Sequence, residues 1–318
     1  MLKYNSLVQN IKLMNKGTKK RIRAGVIGVG YLGQHHARIY SELEDAELVG
    51  VADTNIERAG EIARKYGTKA YKDYKDLIGN ADALSIVVPT TLHYEIAVEC
   101  LTSGKDIIVE KPVTTTIAEA DELIGEAERQ ERILQVGHLE RYNSGIMALS
   151  EMIDRPIFFE SLRLSPFLNR ATDVDVTLDL MIHDIDIVLS LVSSPVRSVK
   201  AIGFSSITDM IDEARAWVEF ENGLAGFFTA SRISEEKQRK LKVFQDNSYI
   251  ELDYQNGSIK RFSHRGAQED IKPEFREPLK EELKDFIRCV MNRETPRVSG
   301  IEGRDALRVV LEINSLVR

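Results

Sequence analysis

The sequence predicts an α/β protein with two parts. An N-terminal doubly wound parallel Rossmann sheet is followed by a C-terminal α+β unit with an open-faced, largely antiparallel sheet. Three observations carry that expectation. Short apolar runs alternate with helical stretches from residue 22 to residue 137. A Gly28-Val29-Gly30-Tyr31-Leu32-Gly33 turn joins the first run to the first helix. Beyond residue 150 the pattern changes to period-two strands punctuated by Asn-Gly turns.

Residues 22–28 form an apolar run ending in glycine, the mark of a buried strand, and a helix follows over 33–40. A second strand is expected at 46–53 and a helix at 56–66, with Ile62 and Ala63 facing inward. The run 81–88, stopped by Pro89, is the third strand; the helix 93–101 ends near Gly104, a fitting C-cap. Strand 105–110 is stopped by Pro112, helix 117–129 follows, and 133–137 supplies the fifth strand. Alternation of this kind buries a parallel sheet between two helical layers.

In the second half, strands are expected at 157–164, 199–204, 214–220, 224–230, 241–244, 248–253 and 258–262. Ala214, Ala216, Val218 and Phe220 alternate with Arg215, Trp217 and Glu219, the period of a sheet with unlike faces. Asn222-Gly223 and Asn256-Gly257 are hairpin signals. Helices are expected at 176–192, 279–291 and 305–316. The division that results is a basic extension over 1–21, a dinucleotide domain over 22–150 and a substrate and oligomerisation domain over 151–304. The last helix is expected to pack back on the first domain.

Composition narrows the function. With 318 residues, the chain is long enough for two cores. Its 43 Lys+Arg against 50 Asp+Glu give a net charge of −7, which offers no general attraction to nucleic acid or anionic lipid. Cys100 and Cys289 are too few for a disulfide framework or a zinc cluster, and no apolar run is long enough to span a bilayer. Residues 1–21 carry six cations but no apolar core of a secretory signal. They read as a basic extension, or as leader to a translation start at Met14. A cytoplasmic enzyme free of metal, membrane and nucleic acid is the expectation.

Three motifs can carry chemistry. In the glycine turn, Gly28 permits the tight bend, Gly30 admits the backbone to a pyrophosphate, and Gly33 lets helix approach strand. Asp53, twenty residues after Gly33 at the end of the next strand, is placed to accept from a ribose 2′-hydroxyl and to repel a 2′-phosphate. NAD is therefore favoured over NADP. Glu110-Lys111-Pro112 ends the fourth strand, where ligands of such sheets bind. Lys111 reads either as a stabiliser of a developing oxyanion or as an ordinary solvated lysine. Asp179 and His183, four apart on a helix, read as an oriented acid/base pair, as a cap plus a packed histidine, or as a metal pair. The metal reading lacks an HExxH or cysteine ligand set.

GVGYLG at 28–33, EKP at 110–112, GHLERYN at 137–143 and DLMIHDIDIVL at 179–189 together resemble the Gfo/Idh/MocA oxidoreductases. The resemblance covers nearly the whole chain from residue 22. It implies hydride transfer between NAD(P) and a sugar or cyclitol, with Lys111, Asp179 and His183 as catalytic residues. It further implies that Tyr31, Leu32, Pro89, Thr90, His93 and Glu110 lie along the cofactor, and that His138 and Tyr142 border the substrate. GHLERYN, the helix at 176–192 and TASRISEEKQRKLKVFQ look most similar to UDP-N-acetylglucosamine 3-dehydrogenases. Such enzymes make a 3-keto nucleotide sugar for lipid A-type amino-sugar synthesis. A UDP-sugar diphosphate needs cations, and Arg163, Arg170, Arg232, Lys237 and Arg239 are the candidates. In the expected mechanism Asp179 orients His183, and the apolar open sheet face drives self-association in twos or fours. A free-sugar or inositol dehydrogenase, and a non-catalytic NAD-responsive binding protein, are the competing readings.

Overall fold

The computed structural model describes residues 21–168, 174–263 and 266–317. Six parallel strands form the first sheet: β1 (Ile22–Ile27), β2 (Ala46–Ala52), β3 (Ala70–Tyr71), β4 (Ala83–Ile86), β5 (Asp106–Glu110) and β6 (Leu134–Gly137). Their order is β3-β2-β1-β4-β5-β6. Strand order reverses between β1 and β4, so a crevice opens at their carboxyl ends. The helices of this half are α1 (Gly33–Glu42), α2 (Ile56–Tyr66), α3 (Tyr74–Ile78), α4 (His93–Thr102) and α5 (Ile117–Arg129). Their ends are set locally. Asn55 caps α2 by accepting from the Glu57 and Arg58 N–H groups, Gly67 closes it at a φ of 67°, and Thr116 with Glu119 forms a capping box on α5.

A short helix α6 (Ser144–Met152) leads into the second sheet. It contains β7 (Pro156–Leu164), β8 (Val196–Phe204), β9 (Glu213–Phe220), β10 (Ala225–Ser231), β11 (Gln238–Gln245), β12 (Ser248–Asp253), β13 (Ser258–Ser263) and β14 (Gln268–Ile271). The order is β14-β13-β12-β11-β7-β10-β9-β8, antiparallel throughout except for the central β7–β10 pair. Both Asn-Gly turns connect hairpins as expected, with Gly223 at a φ of 85° and Gly257 at 59°. In β9 the alternation is realised: Ala214, Ala216, Val218 and Phe220 are buried.

Two findings depart from the expected helices. The segment expected as one helix over 176–192 is a π-helical turn, Thr177–Met181, followed by α7 (Ile182–Leu191). The final pair, α8 (Pro278–Asn292) and α9 (Gly300–Val317), binds the two halves together. Leu283, Phe286 and Ile287 of α8 enter the core beneath the first sheet, beside Ala24, Ile39 and Tyr40. The α9 helix was expected on the first half but packs on both. Leu307 joins Leu134 and Val136, while Val310 and Ile313 join Phe159, Ile185 and Phe228. Close approach needs small residues there, since a Cβ on Gly300 or Gly303 would stand 2.6 Å from Leu134 or Val136. Among the described residues no helix is long and apolar enough to cross a membrane.

Candidate active site

The glycine turn has the shape a dinucleotide requires. Gly28 has a φ of 85°, and a Cβ there would lie 2.2 Å from the Val87 carbonyl oxygen. A Cβ on Gly33 would lie 1.8 Å from the Gly28 oxygen, so the helix can start only with glycine in that place. Gly30 differs: a Cβ would meet nothing within 4 Å, so the space beside it faces the crevice and is free for a phosphate. Asp53 is fixed by the Val29 and Asn55 N–H groups, each donating at 2.9 Å.

Two adjoining cavities run along the strand ends. One, of about 380 Å³, is lined by Gly28, Gly30, Asp53, Pro89 and also Lys72 and Tyr74. The next, of about 370 Å³, is lined by Gly30, Tyr31, Leu32, Thr90, Glu110, Lys111 and Asp179. Their sequence matches an adenosine end and a nicotinamide end. Tyr31 is 75% exposed, an aromatic face at the junction. Lys72 and Tyr74 carried no sequence signal, because they follow a two-residue strand with no periodicity.

At the nicotinamide end β5 delivers Lys111. Its ammonium donates to the Asp179 carbonyl oxygen at 2.7 Å and stands 3.6 Å from that residue's carboxylate. Burial lowers the Lys111 pKa, opposed by the charges of Asp179 and Glu110. Asp179 is therefore the partner of Lys111. The expected Asp179–His183 bond is not formed, because the π turn advances the chain out of the simple i,i+4 register. Glu110 takes a hydrogen bond from His36 (3.2 Å), whose other nitrogen meets Ser85. Burial pushes the Glu110 carboxyl up, but the His36 hydrogen bond and charge outweigh it and hold the pKa low. His36 looked unremarkable in sequence; only the fold brings it to Glu110.

His183 is half-buried with Nδ1 enclosed, and its pKa lies well below the ordinary value. Burial is the main cause, followed by the charges of Lys111, Arg163, His138 and Arg239. The ring is thus a neutral base at physiological pH. His138 stands edge-on to it, 6.4 Å between ring centres, and burial with Lys111 and Arg141 pulls its pKa to about 3. The charge of Lys111 thus bears on both rings, which stand edge to face.

Other expected contacts are not made. His93 is fully buried behind the cleft, with its nitrogens 2.9 Å from the Pro112 and Val88 carbonyl oxygens, so it braces two strand ends instead of lining the ribose. Tyr142 donates its hydroxyl to Asp285 at 2.8 Å and lies under the Arg297 guanidinium, which turns it towards α8 and not towards Lys111. Arg163 offers no free guanidinium to a diphosphate. It is 2% exposed, paired bidentately with Asp184 at 2.8 Å, bonded to Glu140 and stacked over Tyr254. Arg232 is likewise buried and donates to the Val174 carbonyl. Arg170 lies outside the described residues.

A dinucleotide crevice with a half-buried lysine at its end and a neutral imidazole within reach of that lysine's charge fits a dehydrogenase acting on a hydroxyl-bearing carbon. Comparison with known proteins gives the family. Residues 22–138 match the oxidoreductase family with the NAD-binding Rossmann fold, and residues 157–259 match the GFO/IDH/MocA C-terminal domain. The chain belongs to the Gfo/Idh/MocA oxidoreductases. It is 34% identical over 307 residues to UDP-N-acetylglucosamine 3-dehydrogenase of Acidithiobacillus ferrooxidans, covering 93% of this chain and 97% of the relative. A solved structure of that enzyme superposes with a TM-score of 0.90 at 34% identity, over 93% of this chain and 98% of its own. The scyllo-inositol 2-dehydrogenase (NAD(+)) of Bacillus subtilis is 28% identical over 314 residues, covering 91% and 92%.

Two outcomes follow from this geometry. Gly30→Ala is expected to leave thermal stability within about 0.5 kcal/mol of wild type while weakening dinucleotide binding. Gly33→Ala is expected to lose both, because its Cβ collides with backbone. Thermal melts beside a fluorescence titration with NAD separate the two. The second concerns pH. His138 is neutral in the fold down to about pH 3, whereas the unfolded ring protonates near 6.5, so its burial costs stability as pH falls between those values. Urea unfolding of His138→Gln across that window should show a shallower loss than wild type. An unchanged slope would contradict the assignment.

Proposed function

We propose that the protein oxidises a secondary hydroxyl of a sugar to a ketone, with NAD as acceptor and C3 of UDP-N-acetylglucosamine as the carbon. One observation carries the chemistry: Lys111 lines the nicotinamide end of the crevice, and its charge reaches a neutral His183. When bound, the dinucleotide supplies the two-electron acceptor. His183 takes the hydroxyl proton, and Lys111 donates to the oxygen as negative charge develops on it. Asp179 holds Lys111 in place through its carbonyl and balances its charge. Asp53, anchored in the adenosine cavity, supports NAD over NADP.

The substrate assignment rests on the 34% identity to the UDP-N-acetylglucosamine enzyme across almost the full length of both chains. Its product, a 3-keto nucleotide sugar, is the form an aminotransferase would convert for lipid A-type amino-sugar synthesis. Arg163 and Arg232 are sequestered; Arg239, half-buried and 3.9 Å from Glu140, and the exposed Lys237 are the described candidates that reach solvent. The inositol dehydrogenases, at 28–29% identity, favour a second reading in which a free cyclitol is oxidised. We also assign the outer face of the second sheet to self-association in twos or fours. Phe158, Trp217, Phe227, Phe244, Tyr249 and Phe262 form a continuous aromatic ladder across it.

Nicotinamide absorbance should rise with NAD and UDP-N-acetylglucosamine, and less with myo-inositol or simple hexoses; faster turnover of a free cyclitol overturns the substrate. Lys111→Ala and His183→Ala should each cut kcat by about 10²–10⁴-fold at unchanged NAD affinity. Near-normal turnover in both would refute the mechanism. Light scattering should report a dimer or tetramer for the wild type and smaller species for Phe244→Glu.

A further inference from the structure

Four enclosed polar atoms around α7 have no hydrogen-bond partner: Nδ1 of His183, both ring nitrogens of His138 and Oδ2 of Asp186. Such atoms are costly to bury, and here they occupy successive neighbours. The two rings meet edge to face at 86°, with centres 6.4 Å apart, a gap that one water or a small ring rotation closes. The His138 Nδ1 lies 3.9 Å from Asp186 Oδ2. Asp186 in turn lies on the inner wall of a cavity of about 640 Å³, lined also by Arg141, Ser190, Arg197, Glu302 and Arg308. That cavity shares no lining residue with the dinucleotide crevice.

An ordinary buried ion pair does not account for Asp186. The Arg141 Nε is 3.9 Å away, and the Arg141 guanidinium spends its hydrogen bonds on the Asp186 and Arg297 carbonyl oxygens. The carboxylate is left with an open acceptor facing a histidine.

We propose that His138 and Asp186 form a proton relay that carries the proton taken up by His183 out to the water of this second cavity. The inference rests on the alcohol-oxidising reading given above. The substrate O–H bond breaks as an N–H bond forms on His183. The imidazolium then gives up its Nδ1 proton towards His138, which accepts at one nitrogen and releases from the other, staying neutral overall. The Asp186 carboxylate takes that proton and returns it to water; no electrons move in these steps.

The electrostatics suit the roles. His138, held near 3, does not trap the proton. Asp186 is pushed up to about 7 by burial, with Arg141 lowering it and Glu302 raising it; Glu282 and Tyr254 also feel its charge. It therefore exchanges protons near neutrality.

The test uses the full chain with NAD and UDP-N-acetylglucosamine as probe. Asp186→Asn and His138→Gln should each lower kcat about tenfold with KM and NAD affinity held, and enlarge the solvent isotope effect on kcat. The double variant should be no slower than either single one, since both break the same chain. Formate should restore turnover to Asp186→Ala. Unchanged kcat in Asp186→Asn, or additive losses in the double variant, overturns the relay. Nitrogen-15 spectra of the histidine rings provide a readout that needs no substrate. In the wild type the His138 signals should respond to a titration near pH 7, and that response should vanish in Asp186→Asn. Its absence from the wild type overturns the relay even if no variant folds. If the wild type fails to oxidise the probe, the substrate reading falls and the spectra alone decide the relay.

Discussion

The hydrogen bond from Lys111 to the Asp179 carbonyl, 2.7 Å long, joins the first sheet to the second half at the proposed reaction site. A partly desolvated ammonium needs acceptors, and Asp179 supplies both a carbonyl and a nearby carboxylate. The carbonyl is available because the chain before α7 is wound as a π turn. In a regular α-helix each interior carbonyl accepts from the residue four ahead; a π turn shifts that ladder and can leave an oxygen for an outside donor. Lys111 in turn sits at the end of β5, whose neighbour Glu110 is clamped by His36. The position of one cation is thus fixed from both sides.

Much of this was legible in the chain. The glycine turn, Asp53 and the EKP motif each follow the end of a strand of the parallel sheet, so motif and strand pattern together could place them. The two Asn-Gly hairpins were legible for the same reason. What the chain did not disclose depends on contacts between distant residues. Arg163 reads as an available cation, and only the fold shows Asp184 and Glu140 occupying it. Tyr142 sits in a motif that promises a substrate contact, yet its hydroxyl is spent on Asp285, 143 residues away. The π turn is invisible because its residues have ordinary helical periodicity. Edge strand β14, with the sequence Gln-Glu-Asp-Ile, has no apolar alternation to announce it.

The Arg163 cluster explains why so much charge is buried under the site. A guanidinium removed from water is tolerated only with its fork filled, and Asp184 and Glu140 fill it while Tyr254 covers the face. Filled in this way, the guanidinium is no ligand for substrate, though its charge still bears on His183. Together with Lys111 it opposes protonation of the imidazole. Burial thus sets the protonation state of the base, and the fixed cations reinforce it.

That arrangement has a kinetic consequence. A base kept neutral by burial and by nearby cations is always ready to accept, but the same forces make its protonated form unstable. Once the hydroxyl proton arrives, the imidazolium faces Lys111 and Arg163 with no carboxylate bonded to it, since Asp179 is committed to the lysine. An imidazole oriented by a bonded carboxylate could hold its proton until the product leaves. Here the proton must move on or return to the oxygen, and return reverses the reaction. The neutral His138 beside it, and Asp186 beyond, are the polar groups whose orphaned atoms lead away from the cations. The electrostatic device that readies His183 to accept a proton therefore also demands that the proton be led away.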